Sequence, residues 1–254
     1  MTACVVVLST QRSGSTLLVD YLSSAPGVLV HSELFQRLDP GLVNRPDRPR
    51  HYDIAYQTFR KASVVRKLAH RFRRRSLIDG YLHGVFAPKP GIDVIGLKLM
   101  YDQARKYPEV LSWLDSREAY YVHLVRENLL DMIVSRELAV KRGTYSMRNS
   151  LQMIQVYLDV DKLMADLARI SRDIGDFREF CLKRRSRELT YEALVADKAG
   201  TVRRILEFVG ANPREPAGSI LKKTNPAPLK DVISNYNEVA SVLGKDPRFK
   251  RFVA

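Results

Sequence analysis

A small polar loop near the start of the chain has the residue types that hold phosphate groups in proteins. It follows the apolar, β-branched run at residues 5–8 and leads directly into a helical pattern of apolar residues from residue 17 onward. A loop between a strand and a helix directs free backbone N–H groups at its ligand, and such groups bind anions. The candidate binding residues of this loop are Arg12, Ser13, Gly14, Ser15 and Thr16.

The loop departs from the usual nucleotide-hydrolysing pattern, G-x-x-x-x-G-K-[ST]. Ser9 stands where the first glycine would be, Ser15 replaces the lysine after Gly14, and the cation of the loop is Arg12, two residues before that glycine. The pattern therefore predicts a phosphate site without the chemistry of ATP hydrolysis. The alternative is an ordinary helix start after a buried strand, with Ser13 or Ser15 as the N-cap.

A second pair of candidate phosphate-binding residues follows the strand predicted at 119–125. Arg126 comes directly after this strand, Asn128 is suited to cap the next helix, and Ser135 lies two turns into that helix. Arginine suits the task because its planar fork can donate two hydrogen bonds to one phosphate. The alternative is an arginine at a strand end and a serine on a solvated helix face.

The two motifs together resemble the donor-binding motifs of sulfotransferases that use 3′-phosphoadenosine-5′-phosphosulfate (PAPS). The loop resembles their 5′-phosphosulfate loop, and Arg126 with Ser135 resembles their 3′-phosphate motif. Residues 124–128 and 134–135 are similar to the pattern L-V-R-x-N-x-L-x-x-x-V-S of the bacterial nodulation-factor and trehalose sulfotransferases. The resemblance implies sulfuryl transfer from PAPS to a hydroxyl of a carbohydrate or glycolipid acceptor, with the 3′,5′-bisphosphate PAP as product.

The resemblance extends further along the chain, although it covers nothing between residues 37 and 90. Residues 96–100 look like the middle strand of the family, and Tyr191 belongs to a Y-E-x-L element whose tyrosine lies near the adenine. Lys222, Lys223 and Thr224 look like the C-terminal loop that closes over the nucleotide. For the two lysines, the alternative is a solvated surface.

Two residues at the end of the second predicted strand are candidate bases for the acceptor hydroxyl. Glu33 fits the position of the base in the glycan-modifying sulfotransferases, and His31 has an unperturbed pKa in the right range. We prefer Glu33, with Arg12 stabilising the charge on the departing phosphate. Lys98 ends a strand, where it could reach the donor or pair with a buried acid, and His123 is expected to be a satisfied core residue.

The order of elements predicts an α/β fold, a P-loop-type parallel sheet flanked by helices, in a single domain spanning residues 1–254. Strands are predicted at 3–9, 28–31, 93–99, 119–125 and 186–190. Helices are predicted at 15–24, 103–114, 128–141, 148–181, 198–209 and 235–243. Ligands of such sheets bind beyond the carboxyl ends of the strands. Residues 38–90 interrupt the alternation, and we interpret them as a helical insertion that acts as a cap and binds the acceptor.

The charge of the chain is strongly positive and unevenly distributed. The net charge is +14, and residues 37–75 hold twelve lysines and arginines against three aspartates. A basic stretch suits nucleic acid, capture of an anionic donor, an anionic acceptor, or a glycolipid at a membrane surface. No aromatic-interleaved strand or zinc-ligand spacing accompanies it, so no nucleic-acid partner is expected. A P-loop small-molecule kinase and a basic nucleic-acid-binding protein are the alternative functions.

The cysteines and the apolar runs of the sequence indicate which cofactors and which cellular location to expect. Cys4 and Cys181 form no disulfide framework and no metal-ligand spacing, and we expect no metal cofactor. The chain has no apolar run long enough to span a bilayer and no signal-peptide pattern at its first residues, so we expect a cytoplasmic enzyme. The sequence does not indicate an oligomeric state.

Overall fold

The centre of the protein is a five-stranded sheet in which every neighbouring pair of strands is parallel. The computed structural model describes residues 2–38, 51–142, 154–218 and 227–253. The strands, in chain order, are β1 (Ala3–Ser9), β2 (Val28–His31), β3 (Val94–Met100), β4 (Tyr120–Val125) and β5 (Ser186–Thr190). Their order across the sheet is β2-β3-β1-β4-β5. This confirms the α/β prediction of a parallel sheet flanked by helices.

Helices connect the strands and cover both faces of the sheet. Those before β3 are α1 (Ser15–Ser23), α2 (His51–Ile54), α3 (Tyr56–Lys61), α4 (Val64–Phe72) and α5 (Arg74–Val85). Those between β3 and β5 are α6 (Tyr101–Lys106), α7 (Pro108–Ser116), α8 (Leu129–Arg142) and α9 (Val160–Leu182). After β5 come α10 (Tyr191–Ala196), α11 (Lys198–Phe208), α12 (Leu229–Val232), α13 (Tyr236–Lys245) and a short 3₁₀ helix, Lys250–Phe252.

The central strand β1 is buried on both faces. Side chains alternate along a strand, so Val5 and Val7 enter one hydrophobic cluster, with α1 and α11, while Val6 and Leu8 enter the other. The second cluster includes residues of α5, α7, α8 and α9. Burial on both faces explains the continuous apolar run of this strand, which is typical of parallel sheets.

The prediction of one helix at 103–114 is wrong in one respect, because the structure has two helices there. Tyr107 separates α6 from α7, and Pro108 is at the start of α7. Proline lacks a backbone N–H and disfavours helical geometry in the residue before it. A proline at the first helical position is favourable, so the chain ends one helix and begins another.

The helix predicted at 148–181 begins later than expected. Asp159 is the N-cap of α9, and its side chain accepts a hydrogen bond from the Lys162 N–H at 2.9 Å. Before it, Val156 is in a bridge with Ile233 rather than in a helix. Residues 148–153 of that prediction lie outside the described residues.

The insertion between β2 and β3 is helical, as predicted, and contains α2–α5. It is attached to the loop after β2, where the Tyr56 N–H donates to the Leu34 carbonyl at 2.8 Å. The Tyr56 ring also packs against Phe35 and Tyr81, with centroid distances of 5.2 Å to each. These contacts hold the insertion against the end of β2, where Glu33 is also located. Its role in acceptor binding stays a prediction.

Gly96 of β3 provides a test of how closely the two central strands pack. A Cβ atom at this position would overlap the backbone carbonyl and side chain of Val5 in β1. We expect Gly96→Ala to lower the free energy of unfolding by about 1–3 kcal/mol, the usual cost of overpacking. Urea denaturation measures this.

The matched control is Gly175→Ala in the middle of α9, where a Cβ would meet no atom within 4 Å. Alanine favours a helix more than glycine does, so the free energy of unfolding of this variant should rise by up to about 1 kcal/mol. Equal stability of Gly96→Ala and the wild type would contradict the close packing of β1 and β3.

Candidate active site

The loop after β1 takes backbone geometry that few residues adopt. Arg12 has a φ of 65° and Gly14 a φ of 90°, both in the left-handed region. Gly14 is the N-cap of α1, and no side chain forms a capping hydrogen bond there. The first N–H groups of a helix have no partner within the helix. The start of α1 therefore offers backbone donors and the positive end of the helix dipole to an anion.

The serine hydroxyls of the loop do not cap the helix. Ser13 is fully buried, and within the part of the chain that the structure describes its Oγ has no hydrogen-bond partner. Ser15 is also buried and is the first residue of α1. The alternative of an ordinary helix start with Ser13 or Ser15 as N-cap is therefore wrong, because Gly14 has that position.

Tyr191, the first residue of α10, covers the loop. A Cβ on Gly14 would overlap the Tyr191 ring, so only glycine fits beneath it. The guanidinium carbon of Arg126 lies 4.4 Å from the centroid of the same ring. The neighbouring Thr190 caps α10 by accepting a hydrogen bond from the Ala193 N–H at 3.1 Å. Tyr191 therefore contacts both predicted phosphate motifs.

The two predicted motifs are also linked directly. The Nε and Nη2 atoms of Arg12 both donate to the Ser135 Oγ, at 3.0 and 2.9 Å. Ser135 is buried and projects from α8 toward the loop. The side chain of Arg12 thus extends from the loop after β1 to the helix after β4.

Arg126 is buried at the end of β4, and its side chain is only partly satisfied. Its Nη2 donates to Asp131 Oδ2 at 2.7 Å, and its Nη1 donates to the Arg12 carbonyl at 3.4 Å. Among the described residues its Nε has no partner. Asn128, as predicted, caps the following turn by accepting from the Asp131 N–H at 3.2 Å. The Nε–H of Arg126 is therefore available to an anion.

Glu33 forms part of a charged cluster on the opposite side of the loop. The buried Lys98 Nζ lies 2.9 Å from Glu33 Oε1 and donates to the Thr16 Oγ1 at 3.1 Å. Lys98 therefore pairs with an acid, one of the two roles that its strand position allowed. Through Lys98, the Glu33 carboxylate is two contacts away from Thr16 in the phosphate loop.

Gln103 is a member of this cluster that the sequence analysis missed. Its Nε2 donates to Glu33 Oε2 at 2.8 Å, and its Oε1 accepts from the Met100 N–H at 3.5 Å. The amide is buried at the start of α6 and fixes the second oxygen of the carboxylate. No spacing rule reveals this contact, because the two residues are 70 positions apart in sequence.

His31, the other candidate base, interacts with the end of the insertion. Burial, and secondly the nearby charge of Lys89, lower the pKa of His31 to about 4. A hydrogen bond with the Val85 backbone acts in the other direction. The pKa near neutrality that made His31 a candidate base is therefore lost, and its interactions are with the end of the insertion.

The second histidine of the sheet has the structural role that we predicted. His123 is buried in β4, where its Nε2 lies 2.6 Å from the Tyr101 hydroxyl and its Nδ1 lies 3.2 Å from Glu188 Oε2. Burial lowers the pKa of His123, which favours the neutral ring. Cys4 is also held in its protonated form, because burial raises the pKa of its thiol to about 12.

A polar cavity of about 240 Å³ borders the loop on the Arg12 side. It lies between α6, α8 and α9, and its walls include Arg105, Arg136, Arg169, Asp102 and Asp173. Arg105 and Arg169 both pair with Asp173, at 2.7 and 3.6 Å. The cavity therefore presents both hydrogen-bond donors and acceptors, held in place by ion pairs.

Three of the predicted donor-binding residues lie outside the described residues. Lys222, Lys223 and Thr224 belong to residues 219–226, which the structure does not describe. The described residues contain no group of three or more His, Cys, Asp or Glu side chains that could hold a metal ion. Among the helices described above, none is both long enough and apolar enough to cross a membrane.

Comparisons with known proteins bear on the family of the chain. The crystal structure of a sulfotransferase from Alicyclobacillus acidocaldarius is similar at 15% sequence identity and a TM-score of 0.47, covering 100% of this chain and 96% of that chain. No curated protein matches the sequence. A family model described as the sulfotransferase family matches residues 4–215, from the first strand to beyond α11. The chain therefore belongs to the sulfotransferase family.

Proposed function

We propose that the chain transfers a sulfuryl group from PAPS to a hydroxyl of a carbohydrate or glycolipid, with Glu33 as the general base. The observation that carries this proposal is the convergence on one loop of two anion-binding elements and one carboxylate. The start of α1 and the partly satisfied Arg126 are the anion-binding elements. Glu33 is the carboxylate, and it reaches the loop through Lys98.

The residues of the loop fit a donor that carries phosphate at two positions. The Ser13 hydroxyl, which has no partner among the described residues, and the backbone donors at the start of α1 suit a 5′-phosphosulfate. Arg126 Nε and the Ser135 hydroxyl, on the side of β4, suit a 3′-phosphate. Tyr191 lies between the two groups, over Gly14, where an aromatic ring can contact the nucleoside. This fit supports a 3′,5′-substituted nucleotide.

PAPS supplies an activated sulfuryl group whose sulfur–oxygen bond to the 5′-phosphate breaks as the acceptor oxygen forms a new bond to sulfur. Negative charge then develops on the departing phosphate. Arg12, the N–H groups at the start of α1 and Lys98 are cationic and dipolar groups at the loop. Fixed donors of this kind stabilise developing charge without rearranging during the reaction.

Glu33 suits the role of base because its carboxylate is both oriented and close to the loop. Lys98 holds one oxygen and Gln103 holds the other. The carboxylate accepts the proton of the acceptor hydroxyl as the oxygen attacks sulfur, and a positioned base of this kind accelerates proton transfer. Lys98 contacts both Glu33 and Thr16, so it links the base to the donor side.

The polar cavity beside Arg12 supports an acceptor rich in hydroxyl groups. Its arginine and aspartate walls offer donors and acceptors that a sugar can use. Binding sites for small polar molecules fix orientation with such groups. We propose that this cavity receives part of a carbohydrate acceptor.

The donor site is tested by thermal unfolding with adenosine 3′,5′-bisphosphate, beside ADP and ATP with magnesium. A ligand at a hundred times its Kd stabilises the folded state by about 2.7 kcal/mol, so the bisphosphate should raise the Tm visibly. We expect Arg126→Gln to weaken binding about 10- to 100-fold, because a charge-assisted hydrogen bond contributes about 1.5–3 kcal/mol.

The matched control is Arg185→Gln, an exposed arginine that pairs with Glu118 on the surface. This variant should bind the bisphosphate as the wild type does. Stabilisation by ATP with magnesium and not by the bisphosphate would contradict the proposal and favour a kinase. Equal losses in the two variants would exclude a specific role for Arg126.

The identity of the base is tested by transfer of labelled sulfate from PAPS to neutral disaccharides such as trehalose and N,N′-diacetylchitobiose. We expect Glu33→Gln to lower kcat about 100- to 10,000-fold while leaving bisphosphate binding intact, because general-base catalysis contributes on this scale. His31→Asn should retain kcat within about threefold. The reverse ranking of the two variants would assign the base to His31.

A further inference from the structure

Helix α4 has its apolar side exposed to solvent. Val64, Val65, Leu68 and Phe72 are 70%, 75%, 54% and 74% exposed, and no residue of this helix is fully buried. At 100° per residue these four side chains lie on one side of the helix. Single exposed apolar residues are common, but a contiguous group marks an interaction surface. We call these four residues the α4 apolar surface.

The polar side of α4 packs against the protein instead. The guanidinium carbon of Arg66 lies 4.1 Å from the centroid of the Phe59 ring, and its Nη1 donates to the Phe59 carbonyl at 3.3 Å. His70 Nδ1 lies 2.9 Å from the Tyr56 hydroxyl. Amphipathic surface helices normally turn their apolar side toward the core. Because α4 has the opposite orientation, its apolar side is exposed and can bind a partner.

The charged residues of the chain segment that contains α4 are of one sign. Residues 54–78 contain eight lysines and arginines and no aspartate or glutamate. Within the helix, Lys67 and Arg71 are exposed and follow one edge of the apolar surface, and Arg73 and Arg75 are exposed directly after it. An apolar helix side with a border of cations is the pattern of helices that lie in the interface of an anionic bilayer.

We propose that the α4 apolar surface docks on an anionic lipid bilayer. The four apolar side chains enter the boundary between headgroups and acyl chains, while Lys67, Arg71, Arg73 and Arg75 contact the lipid phosphates. The apolar centre distinguishes this surface from a nucleic-acid site, which is held mainly by phosphate contacts. The cationic border distinguishes it from a contact between two copies of this chain, because the like charges of two such surfaces would oppose each other.

Docking through α4 also connects the bilayer to the candidate base. Helix α3, which directly precedes α4, is hydrogen-bonded to Leu34, the residue after Glu33. A lipid-linked acceptor held at the bilayer would therefore meet the insertion that adjoins Glu33. This last link rests on the proposed function, whereas docking itself does not.

Sedimentation with vesicles tests the proposal on the full chain. The vesicles contain phosphatidylcholine and phosphatidylglycerol in equal parts, with phosphatidylcholine alone for comparison. We expect the wild type to bind the anionic vesicles and to bind more weakly at high salt. Leu68→Ser with Phe72→Ser should lower partitioning about tenfold or more, because it removes apolar area from the interface. Lys67→Gln with Arg71→Gln should lower it several-fold and reduce its salt dependence.

The matched control is Leu182→Ser, which changes an equally exposed leucine, 78% exposed, at the end of α9. It should bind vesicles as the wild type does, and all variants should keep the wild-type unfolding midpoint. Failure of the wild type to bind anionic vesicles would overturn the proposal. Equal losses in Leu182→Ser, or binding that is insensitive to the Leu68 and Phe72 changes, would also overturn it.

A concentration-dependent dimer that these changes abolish, without vesicle binding, would assign the surface to a second copy. Because bisphosphate binding is measured separately, failure of docking leaves the proposed function standing.

Discussion

The parallel pairing of five strands is the constraint on which the site depends, because it brings all their carboxyl ends to one edge. Across that edge, in the order β2-β3-β1-β4-β5, the chain places Glu33, Lys98, the loop around Gly14, Arg126 and Tyr191. The carboxylate therefore lies on one side of the loop and the buried arginine on the other. A nucleotide on the loop would lie along this line. Insertions or deletions in the connecting helices can leave this order unchanged.

Much of this arrangement could be predicted from the sequence, because it follows from motifs at strand ends. A strand followed by Arg12–Thr16 and a strand followed by Arg126 must meet at one edge if the sheet is parallel. The contacts of Gln103 could not be predicted, because they depend on how α6 is turned after β3. The environment of His31 could not be predicted either, because its pKa is lowered mainly by burial against the insertion. Spacing along the chain carries no information about burial or about contacts across the sheet.

The orientation of the basic helix is a second feature that the sequence leaves undetermined. The pattern of residues 64–72 shows that one side is apolar and the other polar, but periodicity alone does not say which side faces the core. Tyr56 and Phe59 decide it, because Arg66 packs over the Phe59 ring and donates to the Phe59 carbonyl, while His70 pairs with the Tyr56 hydroxyl. The positive charge of the segment was evident from composition, whereas its position around an apolar surface follows only from the fold. Charge and exposed apolar area together define the surface.

We propose that the loop after β1 and the arginine after β4 hold the two ends of one nucleotide. A crystal structure with adenosine 3′,5′-bisphosphate would show this. We expect the 5′-phosphate on the N–H groups at the start of α1, near Ser13, and the 3′-phosphate on Arg126 and Ser135. A nucleotide bound elsewhere, or bound with its two phosphates exchanged between these sites, would contradict it.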